Sequence, residues 1–281
     1  MEPCICRIRI AARTRGQSPN VMDNASPNYL PKTRRGGRAR YVLSYIRSLL
    51  FTNLLIYSIT AISGTISMLG SIFDGQGRWQ HACARVWSRL VLGVSGIRVR
   101  VEGLEHLNPR ATTIFCVNHR SAMDIPILFL KLPGQFRFVA KRSLFNMPFV
   151  GWQLRRGGHI PVERGRPREG LKSMEKVAEK IRDGRSVLLF PEGHRSRTGQ
   201  MLPFKAGSFH IAILAGVPIV PITLNGTRHV LEPDTYHVRA GQTEMIVHPA
   251  ISTQGLKLHD VDELCREVRD AISSRFVAEA E

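Results

Sequence analysis

The sequence predicts an α/β fold, a sheet covered by helices on both faces, preceded by a helical segment that associates with a membrane. From residue 97 onward, short runs rich in β-branched residues alternate with amphipathic helical runs, as in layered α/β domains. Upstream, residues 48–73 form a stretch of 26 without one charged side chain. The 281 residues are 43% hydrophobic and 22% charged, which is enough apolar material for a core and excludes wholesale disorder.

The N-terminal region is strongly basic, with ten Lys or Arg and two acidic residues in positions 1–47. Because 13–40 is rich in Gly, Ser, Asn, Pro and Arg and has no apolar period, the sequence predicts a disordered basic arm over 1–40. The whole chain has a formal net charge of +18. Such an excess indicates an anionic partner: nucleic acid, an anionic membrane surface or a phosphorylated substrate.

The uncharged run 48–73 is long enough to cross a bilayer, since as a helix it would extend about 39 Å against a hydrocarbon core of about 30 Å. Its many Ser, Thr and Gly residues make it a poor single span, and we expect Ser63-Gly64 to break it into two shorter helices. Basic residues precede the run, and three arginines follow it within 78–89. The positive-inside rule then predicts a membrane-associated segment over 41–84, with both flanks on the cytoplasmic face of the cell membrane.

The remaining residues, 85–281, are expected to form one globular domain. The run 87–97 is either an amphipathic helix at the membrane interface or the first helix of this domain. Strands are predicted at 97–101, 112–117, 137–140, 159–162, 186–190, 218–224 and 245–247. Helices are predicted at 126–131, 167–183 and 205–214, and in a last helix that turns Val261, Leu264, Val268 and Ile272 inward.

The sharpest chemical feature is the block 118–124, NHRSAMD, directly after a predicted strand. Five positions along a helix leave His119 and Asp124 about 140° apart, so they meet only if a turn separates them. In that geometry Asp124 fixes the imidazole tautomer and leaves the other ring nitrogen to take a proton. On spacing alone, an equally weighted alternative makes Asp124 a helix N-cap and His119 an ordinary loop residue. No GxSxG nucleophile accompanies the pair, which fits a reaction in which a substrate hydroxyl attacks an acyl group.

Two further blocks place charged residues after predicted strands. The first, 190–196, reads FPEGHRS and contains Glu192 and Arg195; the second ends at Arg164. Ligands of open α/β sheets lie at the carboxyl ends of strands, where the two arginines would grip a phosphate through forked hydrogen bonds. A salt-bridged structural loop is the alternative, and it suits Arg197 in particular.

Together these blocks resemble those of the glycerolipid acyltransferase family, specifically its bacterial 1-acylglycerol-3-phosphate acyltransferases. The matching segments, in family order, are NHxSxxD at 118–124, the second block at 156–164, FPEGTRS at 190–196 and VPIVPI at 217–222. Residues 140–148, AKRSLFNMP, also have the family's pattern. The resemblance covers roughly 85–250, and the clearest departure is His194 in place of Thr, which bears on fine substrate preference.

The resemblance implies a mixed sheet flanked by helices, and transfer of a fatty acyl group from acyl-CoA or acyl carrier protein to the 2-hydroxyl of 1-acylglycerol 3-phosphate. The product would be phosphatidic acid. His119 would serve as general base, with Asp124 orienting it. Acceptor binding would involve Arg164, Glu192, Gly193, Arg195 and Lys141. No metal or other cofactor is expected, and the partners would be a membrane lipid and the acyl donor, with no nucleic acid.

Three alternatives stay open at this point. The first is an acyltransferase with another acceptor: glycerol 3-phosphate, a different lysophospholipid or an amino-acid lipid. The second is a basic nucleic-acid-binding protein, against which the arm offers only Tyr29 as an aromatic residue. The third is a non-catalytic membrane adaptor, against which the intact His119 and Asp124 speak.

Overall fold

The computed structural model describes residues 38–162 and 167–279. Most of the predicted basic arm, residues 1–37, lies outside these ranges, and so does Arg164. Residues 38–40, which the sequence assigned to the arm, belong instead to the first helix. Helical structure therefore begins upstream of the uncharged run.

An N-terminal helical hairpin precedes the sheet. Its first part runs without a break through α1 (Arg38–Arg47), a π-helical turn (Ser48–Thr52) and α2 (Asn53–Gly70), and α3 (Arg78–Ser95) packs back against α2. Within the described residues, Arg40–Gly70 is the one helix whose length and composition suffice to cross a membrane. Only 11% of its most apolar window is buried, so its apolar side chains mostly face outward.

The predicted turn at Ser63-Gly64 is wrong, because α2 passes through both residues and the chain turns at 71–77. Polar side chains near the helix centre find partners within the helix. Thr60 and Thr65 each donate a hydrogen bond to the carbonyl oxygen four residues earlier, at 2.7 and 2.9 Å. Side chains bonded in this way leave the helical backbone bonds in place, so they do not end the helix.

Asp74 and Gly77 form the actual turn. The Asp74 carboxylate accepts hydrogen bonds from the backbone N–H groups of Gln76 (2.9 Å) and Trp79 (2.5 Å), which caps the start of α3. Gly77 stands at the N-cap with φ +71°, a conformation that glycine adopts without steric cost. Asp74 and Gly77 therefore set the turn of the hairpin, whereas the Ser63-Gly64 pair at the centre of α2 does not interrupt the helix.

The predicted boundary between 41–84 and 85–281 falls inside α3. This helix contacts α2, α4 (Asp124–Lys131) and β1 (Ile97–Glu102), and its Val91 and Leu92 are buried in the core. Residues 87–95 thus belong to a helix that covers the sheet. Of the two alternatives for this run, the structure shows the first helix of the globular domain. The division into domains itself remains a prediction.

A mixed sheet of seven strands forms the centre of the described structure, in the order β1-β7-β6-β2-β5-β3-β4. Its other strands are β2 (Ile114–Val117), β3 (Arg137–Lys141), β4 (Ile160–Val162), β5 (Val187–Leu189), β6 (Ile219–Asn225) and β7 (Gly241–Val247). β6, β2, β5, β3 and β4 run parallel, whereas β7 is antiparallel to β6 and β1 is parallel to β7. The predicted mixed α/β sheet is confirmed.

Helices cover both faces of the sheet. They include α5 (Arg142–Phe145), α6 (Val150–Arg156), α7 (Pro167–Arg182), α8 (Gly207–Ala215), α9 (Thr227–Val230) and α10 (Val261–Ser273). Alternate residues of β2 point to opposite faces: Phe115 joins a cluster with α3 and α4, and Cys116 joins one with α7, α8 and α10. The four residues predicted to face inward from the last helix are all buried.

Candidate active site

Parallel strands bring the predicted motif loops to one edge of the sheet. β5 lies between β2 and β3 and is parallel to both, so the carboxyl ends of these strands meet. Residues 118–124 follow β2, residues 190–196 follow β5, and Lys141 is the exposed last residue of β3. β4 is parallel to β3 and ends at the same edge. Arg164 follows two residues after the end of β4 and lies outside the described residues.

His119 and Asp124 are in contact, as the turn between them predicts. The imidazole Nδ1 lies 2.7 Å from Oδ2 of Asp124, whose side chain is 0% exposed. The same oxygen accepts the backbone N–H groups of Arg120 (2.8 Å) and Ser121 (2.9 Å), which hold the loop closed around it. Because these contacts lie before the helix and not within its first turn, the simple helix-cap alternative is wrong.

The remaining ring nitrogen of His119, Nε2, is free for proton transfer in this arrangement. The side chain is 16% exposed, and its ring stacks on Phe190 with centroids 3.9 Å apart and planes at 15°. Phe190 is the first residue of the block that carries Glu192, so the two motif loops fix the ring between them. A neutral imidazole held at Nδ1 and open at Nε2 can accept a proton from a hydroxyl group.

Glu192 joins the two loops from inside the protein. Its side chain is almost fully buried, and its two oxygens accept the backbone N–H groups of His119 (2.7 Å) and Leu202 (2.8 Å). The N–H of Ser196 in turn donates to the carbonyl oxygen of His119 at 3.0 Å. Burial raises the pKa of Glu192 to about 7, against the lowering effect of its two hydrogen bonds. The geometry supports a loop-ordering role, since both oxygens are turned to the backbone.

Arg195 projects from the same loop toward a residue that the sequence did not single out, Asp234. Its Nη2 lies 3.3 Å from Oδ1 of Asp234, and Nη2 of Arg197 lies 2.7 Å from Oδ2. Asp234 is half exposed and has a left-handed backbone with φ +60°. The salt-bridged loop that the sequence allowed for Arg197 is present, and it includes Arg195.

Gly193 gives the loop its shape. It has φ +81°, and a Cβ built on it would lie 2.6 Å from Nζ of Lys205, so a larger residue would have to displace that ammonium group. Gly193 therefore brings Lys205 close to the loop backbone. This lysine is a further basic group at the site that sequence reasoning missed, because it lies nine positions beyond the block's last residue.

Two other residues of the first block serve the framework. The side-chain amide of Asn118 pairs with both backbone groups of Leu224 on β6, at 2.7 and 2.9 Å. Arg120 is fully buried, with its guanidinium 3.1 Å from Glu279 and 4.8 Å from the Phe276 ring centroid. Sequence reasoning had no signal for this partner, because Glu279 lies 159 positions after Arg120.

A large apolar cavity lies between the hairpin and the helices α4 and α6 of the sheet-bearing part. It has a volume of about 840 Å³ and is lined by side chains of α2, α3, α4 and α6. Ile125, next to Asp124, and Phe129 border it from α4, and Trp87 borders it from α3. The helix that begins at the catalytic loop thus also forms a wall of the cavity.

Titratable side chains do not cluster as a metal centre in the part of the chain that the structure describes: groups of three or more His, Cys, Asp or Glu suited to a metal ion are absent there.

Comparison with known proteins places these residues in a family. The family described as Acyltransferase matches residues 98–225. A chloroplastic 1-acyl-sn-glycerol-3-phosphate acyltransferase of Brassica napus is 34% identical over 72% of this chain and 58% of its own length. Enzymes with the same activity in their names are 31% identical in Chlamydomonas reinhardtii, over 89% of this chain and 75% of the relative, and in Saccharomyces cerevisiae, over 81% and 76%.

The fold has a solved counterpart. The crystal structure of the 1-acyl-sn-glycerophosphate (LPA) acyltransferase PlsC from Thermotoga maritima aligns with a TM-score of 0.70 at 24% identity, over 83% of this chain and 97% of that one. This chain spans 58% and 56% of the lengths of two chloroplastic relatives, from Brassica napus and Arabidopsis thaliana. The resemblance predicted from the four sequence blocks is confirmed, and the chain belongs to the acyltransferase family that contains the 1-acyl-sn-glycerol-3-phosphate acyltransferases.

Proposed function

We propose that this protein transfers a fatty acyl group from an acyl thioester to the 2-hydroxyl of 1-acylglycerol 3-phosphate, giving phosphatidic acid for phospholipid synthesis. The observation that carries the proposal is the 2.7 Å contact between His119 Nδ1 and Asp124 Oδ2, at the edge where the family's motif loops meet. The names of the relatives give the reaction and the acceptor. Family membership favours this enzyme class over the nucleic-acid-binding alternative.

His119 is the general base of the proposed reaction. Asp124 keeps the imidazole proton on Nδ1, so Nε2 takes the proton of the acceptor's 2-hydroxyl as its oxygen bonds to the thioester carbonyl carbon. Asp124 also balances the imidazolium that forms. When the tetrahedral intermediate collapses, the C–S bond breaks and Nε2 returns its proton to the leaving thiolate. The products are an ester and a free thiol, and His119 is neutral again.

Arg195, together with Arg164 and Lys141, binds the acceptor's phosphate in this proposal. Arg195 and Lys141 lie on strands or loops that end at the catalytic edge. The pair between Arg195 and Asp234 is partly exposed and 3.3 Å long, so it is weak and readily exchanged for a phosphate. Glu192 and Gly193 contribute by shaping the loop from which Arg195 extends.

The apolar cavity is suited to an acyl chain. Its volume of about 840 Å³ and its walls of Ile125, Phe129 and Trp87 would bury a hydrocarbon tail, while the ester end stays near the catalytic loop. The donor is acyl-CoA or acyl carrier protein, arriving from the cytoplasm. Because proton transfer through His119 completes the reaction, we infer that no metal or other cofactor takes part.

We propose that the protein is monotopic and lies on the cytoplasmic face of the cell membrane. The domain that carries the sheet contacts α2 near both of its ends: Asn53 donates to the carbonyl of Tyr236 (2.7 Å), and Ser67 donates to Gln153 (2.9 Å). From Asn53 to Ser67 the helix extends about 21 Å. A domain bonded at both ends would enter the hydrocarbon if this helix spanned the bilayer upright, so a helix lying along the interface is supported.

Other acceptors are the nearest alternative, and an assay decides between them. Membranes with the expressed protein are given labelled acyl-CoA and either 1-acylglycerol 3-phosphate, glycerol 3-phosphate, a zwitterionic lysophospholipid or an amino-acid lysolipid. We expect label in phosphatidic acid. Label in another product with none in phosphatidic acid would move the assignment to that acceptor, and His119→Ala membranes provide the blank.

The topology has its own test. Single cysteines near positions 40 and 80 are probed with an impermeant thiol reagent in sealed inverted and right-side-out vesicles. Both positions should react in inverted vesicles only. Reaction of the two positions from opposite sides would contradict the monotopic arrangement.

A further inference from the structure

The catalytic domain has an exposed apolar edge of its own, outside the N-terminal hairpin. It is formed by α5, the following turn and α6, and its exposed large side chains are Leu144, Met147, Phe149, Val150 and Trp152. We refer to these five residues as the aromatic edge. Phe149 is 73% exposed at its tip. Soluble domains seldom group large apolar side chains in this way, and such patches mark sites of interaction.

Phe149 also has a costly backbone conformation. Its φ and ψ are +57° and −56°, and the N–H of Val150 donates to the carbonyl of Pro148 at 2.6 Å, which together define a γ-turn with positive φ. A bulky residue at positive φ is strained, and glycine would relieve the strain. Phe149 borders the apolar cavity, yet it is 73% exposed. An exposed aromatic ring held at this conformational cost points to a partner for the ring.

The charges around the aromatic edge identify the kind of partner. Residues 141–156 contain four basic side chains and no acidic one. Lys141 and Arg142 lie at one end, and Arg155 and Arg156 lie at the other, where the Arg156 guanidinium stacks over the Trp152 ring at 5.5 Å. Apolar and aromatic side chains bordered by cations fit the headgroup region of an anionic bilayer.

The aromatic edge lies next to the hairpin. Trp152 Nε1 is 3.4 Å from the hydroxyl of Ser71, and Gln153 donates to the carbonyl of Gly64 at 2.7 Å. At the same end of α2, Ile72 is 64% exposed and Phe73 is 91% exposed. The hairpin turn and the aromatic edge therefore present apolar side chains at one junction.

We propose that the aromatic edge inserts into the headgroup region of an anionic bilayer, as a membrane contact made by the catalytic domain itself. The proposal rests on the membrane association put forward above. Because β3 ends at Lys141 and the chain then enters α5, insertion would hold the catalytic edge at the lipid surface. A membrane-embedded acceptor could then present its phosphate and 2-hydroxyl without leaving the bilayer.

Photocrosslinking of the full chain tests the proposal. p-Benzoylphenylalanine replaces one residue at a time: Phe149, Leu50 on the hairpin, or Leu258, an exposed leucine next to α10 on the opposite face of the sheet. Each protein is reconstituted into vesicles of phosphatidylcholine and phosphatidylglycerol in equal parts and irradiated. We expect lipid adducts at positions 149 and 50 and none at 258.

The pattern of adducts separates the possible failures. An adduct at 50 without one at 149 would overturn the aromatic edge and leave the membrane association of the hairpin intact. Adducts at neither position would overturn both proposals. A protein–protein adduct at 149 in place of a lipid adduct would assign the surface to a second copy of the chain and would also overturn the inference.

Met147→Ser provides a second, functional test, because Met147 is 48% exposed and does not line the apolar cavity. We expect its activity to fall about tenfold on an acceptor presented in vesicles, and to stay at the wild-type level on a short-chain, monomeric acceptor. Leu258→Ser serves as the matched control and should change neither. Equal activity of Met147→Ser and wild type on both acceptors, or an equal loss on both, would contradict the inference.

Discussion

Two carboxylates at the catalytic edge contact basic side chains, and they do so in opposite ways. Asp124 is fully buried and holds the His119 ring together with two backbone N–H groups through one oxygen. Asp234 is half exposed and contacts two arginine side chains at 2.7 and 3.3 Å. A proton-transfer pair needs fixed geometry, whereas a phosphate-binding cation must exchange its partner when substrate arrives. The difference between the two carboxylates follows from these tasks.

The largest effect is expected at the His119–Asp124 pair, whose geometry is fixed. His119→Ala should lower kcat by roughly 10²–10⁴-fold, because it removes the general base while the loop keeps its backbone contacts. The measurement is acyl transfer to 1-acylglycerol 3-phosphate by purified protein in detergent. His259→Ala, a change at an exposed histidine with a 74% exposed side chain, is the control and should retain wild-type activity.

Asp124→Asn should impair kcat by at least about a hundredfold, since an amide can favour the wrong imidazole tautomer and cannot balance the imidazolium. Circular dichroism should show a folded protein, because the amide oxygen can still accept the N–H groups of Arg120 and Ser121. Activity close to wild type would show that the pair is structural.

Glu192 should make the stability of the folded protein depend on pH. Its pKa is raised from 4.5 to about 7 in the folded protein, so over that window the folded state binds more protons than the unfolded state. The free energy of unfolding should therefore decrease as pH rises from about 4.5 to about 7, and should level off above it. Glu192→Gln should remove this slope. Unfolding in detergent across the window measures it, and an unchanged slope in the variant would assign it to other groups.

In the cluster of Arg195, Arg197 and Asp234, the change Arg195→Ala should raise the acceptor KM by about tenfold and leave the donor KM and kcat nearly unchanged. The reason is that it removes a charge-assisted contact present in both the ground state and the transition state. Arg197→Ala is the matched comparison. It shares the Asp234 partner but has an 81% exposed side chain, so we expect a smaller rise. A change in the donor KM alone would contradict the phosphate assignment.

The smallest effect is expected at Asp234. Asp234→Asn should lower the acceptor KM by a few-fold at low ionic strength, because it removes a carboxylate that competes with the phosphate for Arg195, and the difference should shrink with added salt. Glu232→Gln, at the carboxylate that pairs with Arg239 in the same loop, should not lower it. A higher KM in Asp234→Asn would mean that the carboxylate positions the arginines instead.

The sequence predicted what local pattern determines. The alternation of strands and helices, the inward face of the last helix and the turn between His119 and Asp124 all depend on residues close in the chain, and all are present. The predicted turn at Ser63-Gly64 is absent because α2 continues through it, with the neighbouring Thr60 and Thr65 bonded to carbonyl oxygens of the same helix. The stronger signal, Asp74 with Gly77, lay at the end of the uncharged run.

Long-range partners escaped prediction. Asp234 reaches Arg195 from a loop 39 positions away, and Glu279 reaches Arg120 from near the C-terminus. No spacing rule connects such residues, since only the folded sheet brings them together. Lys205 was missed for a related reason, because its approach to Gly193 depends on a left-handed backbone that a single glycine in the sequence does not specify.

The central claim is that the His119–Asp124 pair performs proton transfer while the arginine cluster binds the acceptor. The most direct measurement is a side-by-side determination of kcat and acceptor KM for His119→Ala and Arg195→Ala, with labelled acyl-CoA and 1-acylglycerol 3-phosphate. The first variant should lose kcat at a nearly unchanged acceptor KM, and the second should show a raised acceptor KM at a nearly unchanged kcat. If His119→Ala raised only the acceptor KM, or if both variants changed the same parameter to the same extent, the division of roles would be contradicted.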